Sequence, residues 1–405
     1  MSTAPERTIP RAPRDPRLDV FRGLGMFIIL IAHIPANAVA DWIPARFGFS
    51  DATEIFVFCS GVASALAFGR VFDQAGLAPG TLRITHRMWQ VYWAHIGIFV
   101  AVVATLALAD TLVPDARYIR HDLNLGPFLG APADRLLGLA TLTYVPNYFD
   151  ILPMYLGILA LVPLVMTVER IGGAAAVAAL SVSLWIAAAL RLLDLPAETW
   201  GDGRVWFFNP FSWQLVFFLG FGVARGWIAP PRVERRLVAA AVGVAVLAAP
   251  VSCQYGWSCH AGYGAVPWLG EVHQALGPLI DKTHLGLLRV VHFLALAYLA
   301  YAAAGAGGRR LAGLPGVAAV ALVGRQTLAV FLAGLWLAQG LGVLLDVVGR
   351  DSLTLAAANA GGCLALVLVA ALCEWFKSAP WSARQPAAGA QAGTTRAPLP
   401  GVASA

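Results

Sequence analysis

The chain alternates between long apolar stretches and short polar connections. A helix needs about 20 apolar residues to cross a bilayer, and a window of that length finds ten apolar segments. They lie near 22–40, 52–72, 88–109, 151–168, 173–193, 211–228, 237–251, 289–305, 318–345 and 354–376. The pattern predicts an all-α polytopic membrane protein with about ten transmembrane helices.

The composition supports this prediction and excludes one class of partner. Of the 405 residues, 59% are hydrophobic and 12% are charged, whereas a soluble globular domain carries about 25% charged residues. The formal net charge of +6 is small for this length. We therefore expect an integral membrane protein with the lipid bilayer around it, and no binding of nucleic acid.

The polar connections differ in charge, and the difference predicts the orientation. Cytoplasmic connections are enriched in Lys and Arg. Arginines cluster in alternate connections, namely Arg7, Arg11, Arg14 and Arg17; Arg70, Arg83 and Arg87; Arg225, Arg232, Arg235 and Arg236; and Arg309 with Arg310. All of them fall on one side of the membrane if both termini are cytoplasmic. The longer connections on the other side, near 110–150, 194–210 and 252–288, are rich in aromatic, Asp, Asn and His residues, which is typical of a binding surface.

The segments divide the chain into three parts. We expect a cytoplasmic N-terminal arm at 1–17, a transmembrane domain at 18–378 and a disordered cytoplasmic tail at 379–405, which is built from Ala, Pro, Gly and Ser. Cys253 and Cys259 lie in an outer connection. There they would form a short-loop disulfide or remain two free thiols, and the sequence leaves both open.

The first segment, RLDVFRGLGMFIILIAHI, carries polar residues that are costly in hydrocarbon. Helical residues eleven apart return to nearly the same face, so Asp19, Arg22, His33 and Asn37 are expected to form one stripe. At about 1.5 Å per residue, His33 would lie about 16 Å beyond Arg22, close to the bilayer midplane. An imidazole there suits a proton-abstracting base, and a guanidinium at the cytoplasmic mouth suits phosphates. Alternatively, Arg22 only anchors the helix and His33 bonds a neighbouring one.

The second segment begins with two carboxylates, in FSDATEIFVFCSG. Asp51 and Glu54 share a helix face near the outer end, where burial is unfavourable unless they are paired. One of them, Glu54 by preference, would hold the tautomer of His33. The alternative is structural, with Asp51 capping the helix and Glu54 in an ordinary interhelical bond.

Several motifs resemble a known family. Arg22, ten intervening residues and His33 match the Arg-X10-His signature of the acyltransferase-3 integral-membrane acyltransferases. Wider blocks resemble the OpgC family over about residues 14 to 345, namely RDPRLDVFRGLGMFIILIAHIPAN, FGFSDATEIFVFCSG, YVPNYFDILPMY, FNPFSWQLVFFLGF and DKTHLGLLRVVHFLALAYL. The chain departs from the family at Ala32, where an acidic residue often precedes the histidine. This shifts the orienting role toward Asp51 or Glu54.

The resemblance implies a function. OpgC proteins are bacterial inner-membrane succinyltransferases that decorate osmoregulated periplasmic glucans. An enzyme of this kind takes a succinyl group from cytoplasmic succinyl-CoA and places it on a glucose hydroxyl of the glucan. His33 would then remove the hydroxyl proton while Arg22 holds the donor, and succinyl-CoA would be a co-substrate with no tightly bound cofactor.

Other stretches offer binding residues for these substrates. In YVPNYFDILPMY, Asn147, Tyr148 and Asp150 suit a sugar. The alternative is an interfacial aromatic belt, which would explain the tyrosines but not Asn147 with Asp150. In DKTHLGLLRVVH, a cation would select a succinyl carboxylate over acetyl, and the alternative is a salt-bridged loop with a core histidine. The residues concerned there are Asp281, Lys282, Arg289 and His292.

Three further residues complete the predicted site. Trp213 would anchor its segment at the interface or stack on a sugar. Arg87 and Arg325 would join Arg22 around the CoA phosphates, or would be ordinary interfacial arginines. No metal is expected, because the eight histidines are scattered without ligand spacing.

Two other classes of function stay open at this point. A transporter or channel for a small anion or sugar would use the polar stripe as a permeation route, and the lack of internal repeats counts weakly against it. A membrane scaffold would tolerate apolar replacement of the stripe. The sequence also leaves the oligomeric state open, a homodimer included.

Overall fold

The computed structural model describes residues 15–114, 117–118, 123, 125–198, 203–252, 266 and 268–381. The described chain folds into helices, with two isolated β-bridges in the connections. In chain order they are α1 Pro16–His33, α2 Ala52–Ala75, α3 Leu77–Leu112, α4 Gly126–Gly130, α5 Pro132–Thr141, α6 Ile151–Ala189, α7 Pro210–Arg225, α8 Arg235–Ala248, α9 Trp268–Ala275, α10 Gly277–Ile280, α11 Leu287–Ala304, α12 Arg309–Ala312, α13 Val317–Arg325, α14 Thr327–Val348 and α15 Ser352–Lys377.

Six of the helices in the described residues are long and apolar enough to cross a membrane, namely α2, α3, α6, α11, α14 and α15. The prediction of an all-α polytopic membrane protein is confirmed. Each of the ten predicted segments overlaps a helix. That all ten cross the membrane stays a prediction.

The first helix begins and ends earlier than its apolar pattern indicates. It runs from Pro16 to His33, whereas the apolar segment extends to residue 40. Pro35 explains the end, since a proline disfavours helical geometry in the residue before it, and Ile34 is extended (φ −68°, ψ 118°). The prediction of one stripe from Asp19 to Asn37 is therefore wrong, because Asn37 lies outside the helix. His33 occupies the last turn.

Two other helical runs differ from the predicted segments. The segments at 151–168 and 173–193 form the single run α6, which Gly173 interrupts with a positive φ (67°) that glycine adopts readily. The segment at 318–345 is instead divided at Gln326 into α13 and α14. Arg325 consequently lies at the end of a short helix.

The start of α1 and the end of α15 lie at the same end of the bundle. Gly324 packs against the Asp19 carbonyl. Beside it, the side-chain amide of Gln326 donates to the Glu374 carboxylate and accepts from the Lys377 ammonium, with a distance of 2.5 Å in both hydrogen bonds. We call this the inner end, and the end where α1 stops the outer end. That the inner end faces the cytoplasm stays a prediction.

Helix α1 packs against α2, α13 and α14, while α2 packs closely against α7. Glycines permit the close approach. A Cβ on Gly61 would overlap the Phe217 carbonyl, and one on Gly220 would overlap the Phe58 carbonyl. Small residues at such contacts are common between membrane helices, since they let backbones meet directly. This packing fixes the start of α2 beside the end of α1.

Candidate active site

A polar cavity opens at the outer end, between the end of α1, the start of α2 and the start of α11. Its volume is about 270 Å³. Its polar lining comes from separate parts of the chain, namely His33, Arg46, Ser50, Asp51, Thr53, Tyr148, Ser252, His273, Lys282 and Arg289. Five of these, His33, Asp51, Tyr148, Lys282 and Arg289, were candidate residues in the sequence. The fold brings them to one place.

His33 is half-buried, and its ring orientation is set by its own helix. Its Nδ1 lies 2.6 Å from the Ile29 carbonyl oxygen. A carbonyl can only accept, so Nδ1 carries the proton, and in the neutral ring Nε2 keeps its lone pair. The Tyr148 ring packs edge-on against the imidazole with ring centroids 4.9 Å apart. The resulting tautomer is the one that a base acting through Nε2 requires.

Asp51 and Glu54 form a capping box at the start of α2. The Asp51 carboxylate accepts from the Thr53 amide at 2.7 Å, and Glu54 Oε2 accepts from the Asp51 amide at 2.8 Å. Capping boxes satisfy two free amides at a helix start. Asp51 thus caps the helix, as the structural alternative expected. The capping box engages one oxygen of each carboxylate and leaves the other oxygen for a second contact.

The remaining carboxylate oxygens face two cations. Lys282 Nζ lies 2.5 Å from Asp51 Oδ2, and Arg289 lies 3.3 Å from Asp51 and 2.6 Å from Glu54 Oε1. The Glu54 side chain is 0% exposed and that of Arg289 4%. Burial alone would raise the pKa of Asp51, but Lys282 and Arg289 lower it below its usual range. We call these four residues the cavity ion cluster; its charges balance.

This pairing corrects the predicted role of Glu54. Both its oxygens are engaged by Arg289 and by the Asp51 amide, whereas the His33 ring is oriented by the Ile29 carbonyl. A backbone carbonyl thus does what was expected of a carboxylate. Within the described residues, Glu54 positions Arg289. A catalytic role for Asp51 or Glu54 stays a prediction.

His292 lies behind the cavity wall. Its Nδ1 accepts from the Ser50 amide at 3.2 Å and lies 2.7 Å from Ser50 Oγ. A Cβ on Gly48 would overlap its ring, so glycine is needed there. His292 therefore holds the segment that carries Ser50 into the cavity, and it contacts the site through Ser50.

Asp281 and Trp213 hold the loop that carries Lys282. Asp281 accepts from the Thr283 amide at 3.0 Å and pairs with His284 at 2.7 Å. Trp213 is 0% exposed and its Nε1 donates to the Lys282 carbonyl at 3.0 Å. Stacking of Trp213 on a sugar is therefore excluded by its burial. The alternative for this stretch was a salt bridge from Asp281 to Lys282 or Arg289. In the described residues Asp281 pairs with His284 instead.

The residues predicted in the 144–155 stretch have different environments at the outer end. Tyr148 lines the cavity with a positive φ of 72°, which is unusual for a bulky residue and concentrates at functional sites. Asn147 is exposed, whereas Asp150 is buried at the start of α6. Burial raises the pKa of Asp150 to about 7. Of the three predicted sugar ligands, Tyr148 is the one in the cavity wall.

The predicted donor residues lie away from this cavity. Arg22 is half-buried on α1, three turns before His33, and Arg325 is exposed at the inner end, following the Gly324 that packs against Asp19. Arg87 bonds Gln90 on its own helix at 3.1 Å. Helix α3 packs chiefly against α6 and α14. Arg22 and Arg325 thus share an end of the bundle, whereas Arg87 lies on a helix that packs elsewhere.

Sequence reasoning missed five polar residues of the cavity, namely Arg46, Ser50, Thr53, Ser252 and His273. Arg46 and Ser50 stand in the 35–51 connection, which the apolar pattern partly assigned to a helix. Their closeness in sequence to Asp51 was the signal that could have indicated them as site residues. Cys253 and Cys259, for which the sequence left a disulfide and two free thiols open, lie outside the described residues. In the described chain, no group of three His, Cys, Asp or Glu side chains is arranged to hold a metal ion.

Comparison with known proteins shows the family of this chain. A family model described as OpgC protein matches residues 14–378. Neither the curated proteins nor the solved structures give a match. The matched range spans every helix described above, including the ends of α1 and α2 that form the cavity. The chain therefore belongs to the OpgC family, and with it to the membrane transferases that modify periplasmic glucans.

Proposed function

We propose that this protein is an O-succinyltransferase of the bacterial inner membrane. It takes a succinyl group from cytoplasmic succinyl-CoA and esterifies a glucose hydroxyl of a periplasmic glucan. Family membership supports the class of reaction. The observation that carries the proposal is His33, whose Nδ1 donates to Ile29 and whose ring lines a polar cavity at the outer end.

The chemistry follows from the tautomer. His33 Nε2 accepts the proton of the sugar hydroxyl as its oxygen attacks the thioester carbonyl carbon. The new C–O bond forms, the C–S bond breaks, and the departing thiolate of CoA takes the proton back from the imidazolium. Hydrogen bonding of Nδ1 to Ile29 supports this cycle, because it holds the ring in place while Nε2 gains and loses the proton.

Donor and acceptor arrive from opposite ends in this proposal. Arg22 and Arg325, at the inner end, bind the phosphates of CoA, with Arg87 as a further donor contact. Tyr148 and Asn147 receive the glucan at the outer end. The cavity ion cluster carries no net charge, and it holds the segments around His33 in position.

The test is a transfer assay on the purified protein in a lipid environment. Succinyl-CoA and a short glucan are supplied, and thiol release and the mass of the glucan are followed. His33→Gln should lower turnover by about 10² to 10⁴, the usual contribution of a general base, with the melting temperature unchanged. Turnover close to that of the native protein would contradict the assignment.

A matched control is His273→Gln. His273 lines the same cavity, and its Nδ1 also faces a backbone carbonyl, that of Val251 at 2.7 Å. Its loss should change turnover far less than the loss of His33. Flux of an anion or sugar through vesicles without any CoA release would instead support a transporter.

A further inference from the structure

The cationic side chains of the cavity differ in whether they pair with a carboxylate. Three cationic side chains line it, Arg46, Lys282 and Arg289. Lys282 and Arg289 pair with Asp51 and Glu54, two cations against two carboxylates. A ligand carboxylate would therefore compete with Asp51 and Glu54 for these two cations, and release of the buried Arg289 from Glu54 is unfavourable. The expectation that they bind a substrate carboxylate therefore conflicts with their pairing.

Arg46 differs from both. It ends the short 3-10 turn Pro44–Arg46, and its Nε donates to the Ala40 carbonyl at 3.3 Å. Its own carbonyl accepts from Ser252 at 3.5 Å. Among the described residues no carboxylate forms an ion pair with Arg46. The chain that continues from Ser252, CQYGWSCHAGYGA, contains no Asp or Glu.

In the part of the chain that the structure describes, the cavity thus holds one guanidinium without a counter-ion. With Nε occupied by Ala40, the two terminal nitrogens form a planar pair of donors, which matches the two oxygens of a carboxylate. A half-buried site strengthens such a contact, because screening by water is reduced. An anion of one charge is the ligand that this arrangement selects.

We propose that Arg46 binds the free carboxylate at the far end of the acyl group during transfer, and that it thereby selects a dicarboxylic acyl donor over a neutral one. The inference rests on the proposed function. It follows because Arg46 and His33 line the same cavity, so the acyl carbonyl that reacts beside His33 brings its terminal carboxylate within that cavity. The donor's phosphates are assigned to the inner end, about three helical turns of α1 away.

The experiment compares two donors on Arg46→Gln. With succinyl-CoA, kcat/KM should fall about 10- to 100-fold, the loss of one charge-assisted contact. With acetyl-CoA it should stay the same, since acetyl has no carboxylate to bind. Arg46→Lys should restore part of the succinyl activity, because it keeps the charge without the planar fork. Arg191→Gln, an exposed arginine at the outer end, is the control for loss of a charge.

A second measurement does not depend on turnover. Succinate should raise the melting temperature of the native protein more than acetate does, and Arg46→Gln should abolish the difference. Equal losses with both CoA donors would show that Arg46 binds their phosphates and would overturn the proposal. So would unchanged succinyl transfer in Arg46→Gln. A native protein that binds succinate through Arg46 and transfers no acyl group would contradict the proposed function alone.

Discussion

Two clusters of buried charges lie at the outer end of the described residues, and one of them lines the cavity beside His33. The cavity ion cluster joins Asp51 and Glu54 to Lys282 and Arg289. In the second, Glu198 lies 2.9 Å from Arg135 and 3.9 Å from Arg204, with the Glu198 side chain 2% exposed. We call this second group the loop ion cluster.

The two clusters differ in the residues that surround them. Glu198 forms an isolated bridge with Tyr144, and it adjoins the small apolar cluster of Val145, Ala197 and Trp206. The cavity ion cluster instead borders His33. Each cluster contains a buried carboxylate paired with a buried arginine, and one of the two borders a candidate base. A buried ion pair alone is therefore weak evidence for function. The cavity and the base beside it are the distinguishing features.

The largest effects are expected from removing one carboxylate in each cluster. Glu54→Gln and Glu198→Gln each leave a buried arginine short of its counter-ion, which typically destabilises by about 3–5 kcal/mol. Both should lower the melting temperature. Only Glu54→Gln should also lower succinyl transfer per folded molecule, because Arg289 and Asp51 line the cavity.

Melting curves and transfer rates normalised to folded protein measure the two properties separately. Glu54→Gln with full activity per folded molecule would remove the distinction between the clusters. Loss of activity in Glu198→Gln at unchanged melting temperature would indicate a functional role for the loop ion cluster.

Asp150 offers an intermediate effect, since it is a buried carboxyl with no ion pair in the described residues. Burial raises its pKa to about 7. Its protonated form is favoured by folding, so this contribution to stability is complete below pH ~4 and is lost as pH rises toward ~7, up to about 4 kcal/mol. Asp150→Asn should therefore flatten the fall in melting temperature between about pH 4 and about pH 7.

Asp51 is the opposite case. Nearby cations lower its pKa, so its contribution to stability is present above pH ~4 and is lost as the pH falls below that value. Parallel curves of melting temperature against pH for the native protein and Asp150→Asn would show that Asp150 does not cause the pH dependence.

The smallest effect is expected at Lys282. Its side chain is 28% exposed, and Arg289 still pairs with Asp51 when Lys282 is removed. Ion pairs that water reaches contribute about 1 kcal/mol or less. Lys282→Met should shift the melting temperature by a degree or two at most. A shift as large as that of Glu54→Gln would show that Lys282 is as essential to the cluster as the buried pair.

The sequence predicted the elements better than their contacts. Apolar length indicated the long helices, whereas the short helices α5 and α9 lie in stretches that were predicted as connections. Local spacing put Asp51 and Glu54 on one helix start. The partners of those carboxylates, Lys282 and Arg289, come from a distant stretch. No local pattern predicts such pairing, because it depends on how α2 and α11 pack.

The end of α1 illustrates the same limit at close range. Apolar residues continue past His33, so hydropathy alone extends the helix, whereas Pro35 ends it through backbone geometry. As a result His33 lies at the outer end, and the connection after it brings Arg46 into the cavity. Arg46 was missed for that reason.

By itself, the sequence determined the membrane class, the helical segments, the family and His33 as the candidate base. These follow from composition, periodicity and motifs, which are local properties of the chain. The tertiary structure alone decided that Ile29 rather than a carboxylate orients His33, that Lys282 and Arg289 are already paired, and that Arg46 has no acidic partner in the described chain. Each of these depends on distances between side chains that only the packing of the helices sets.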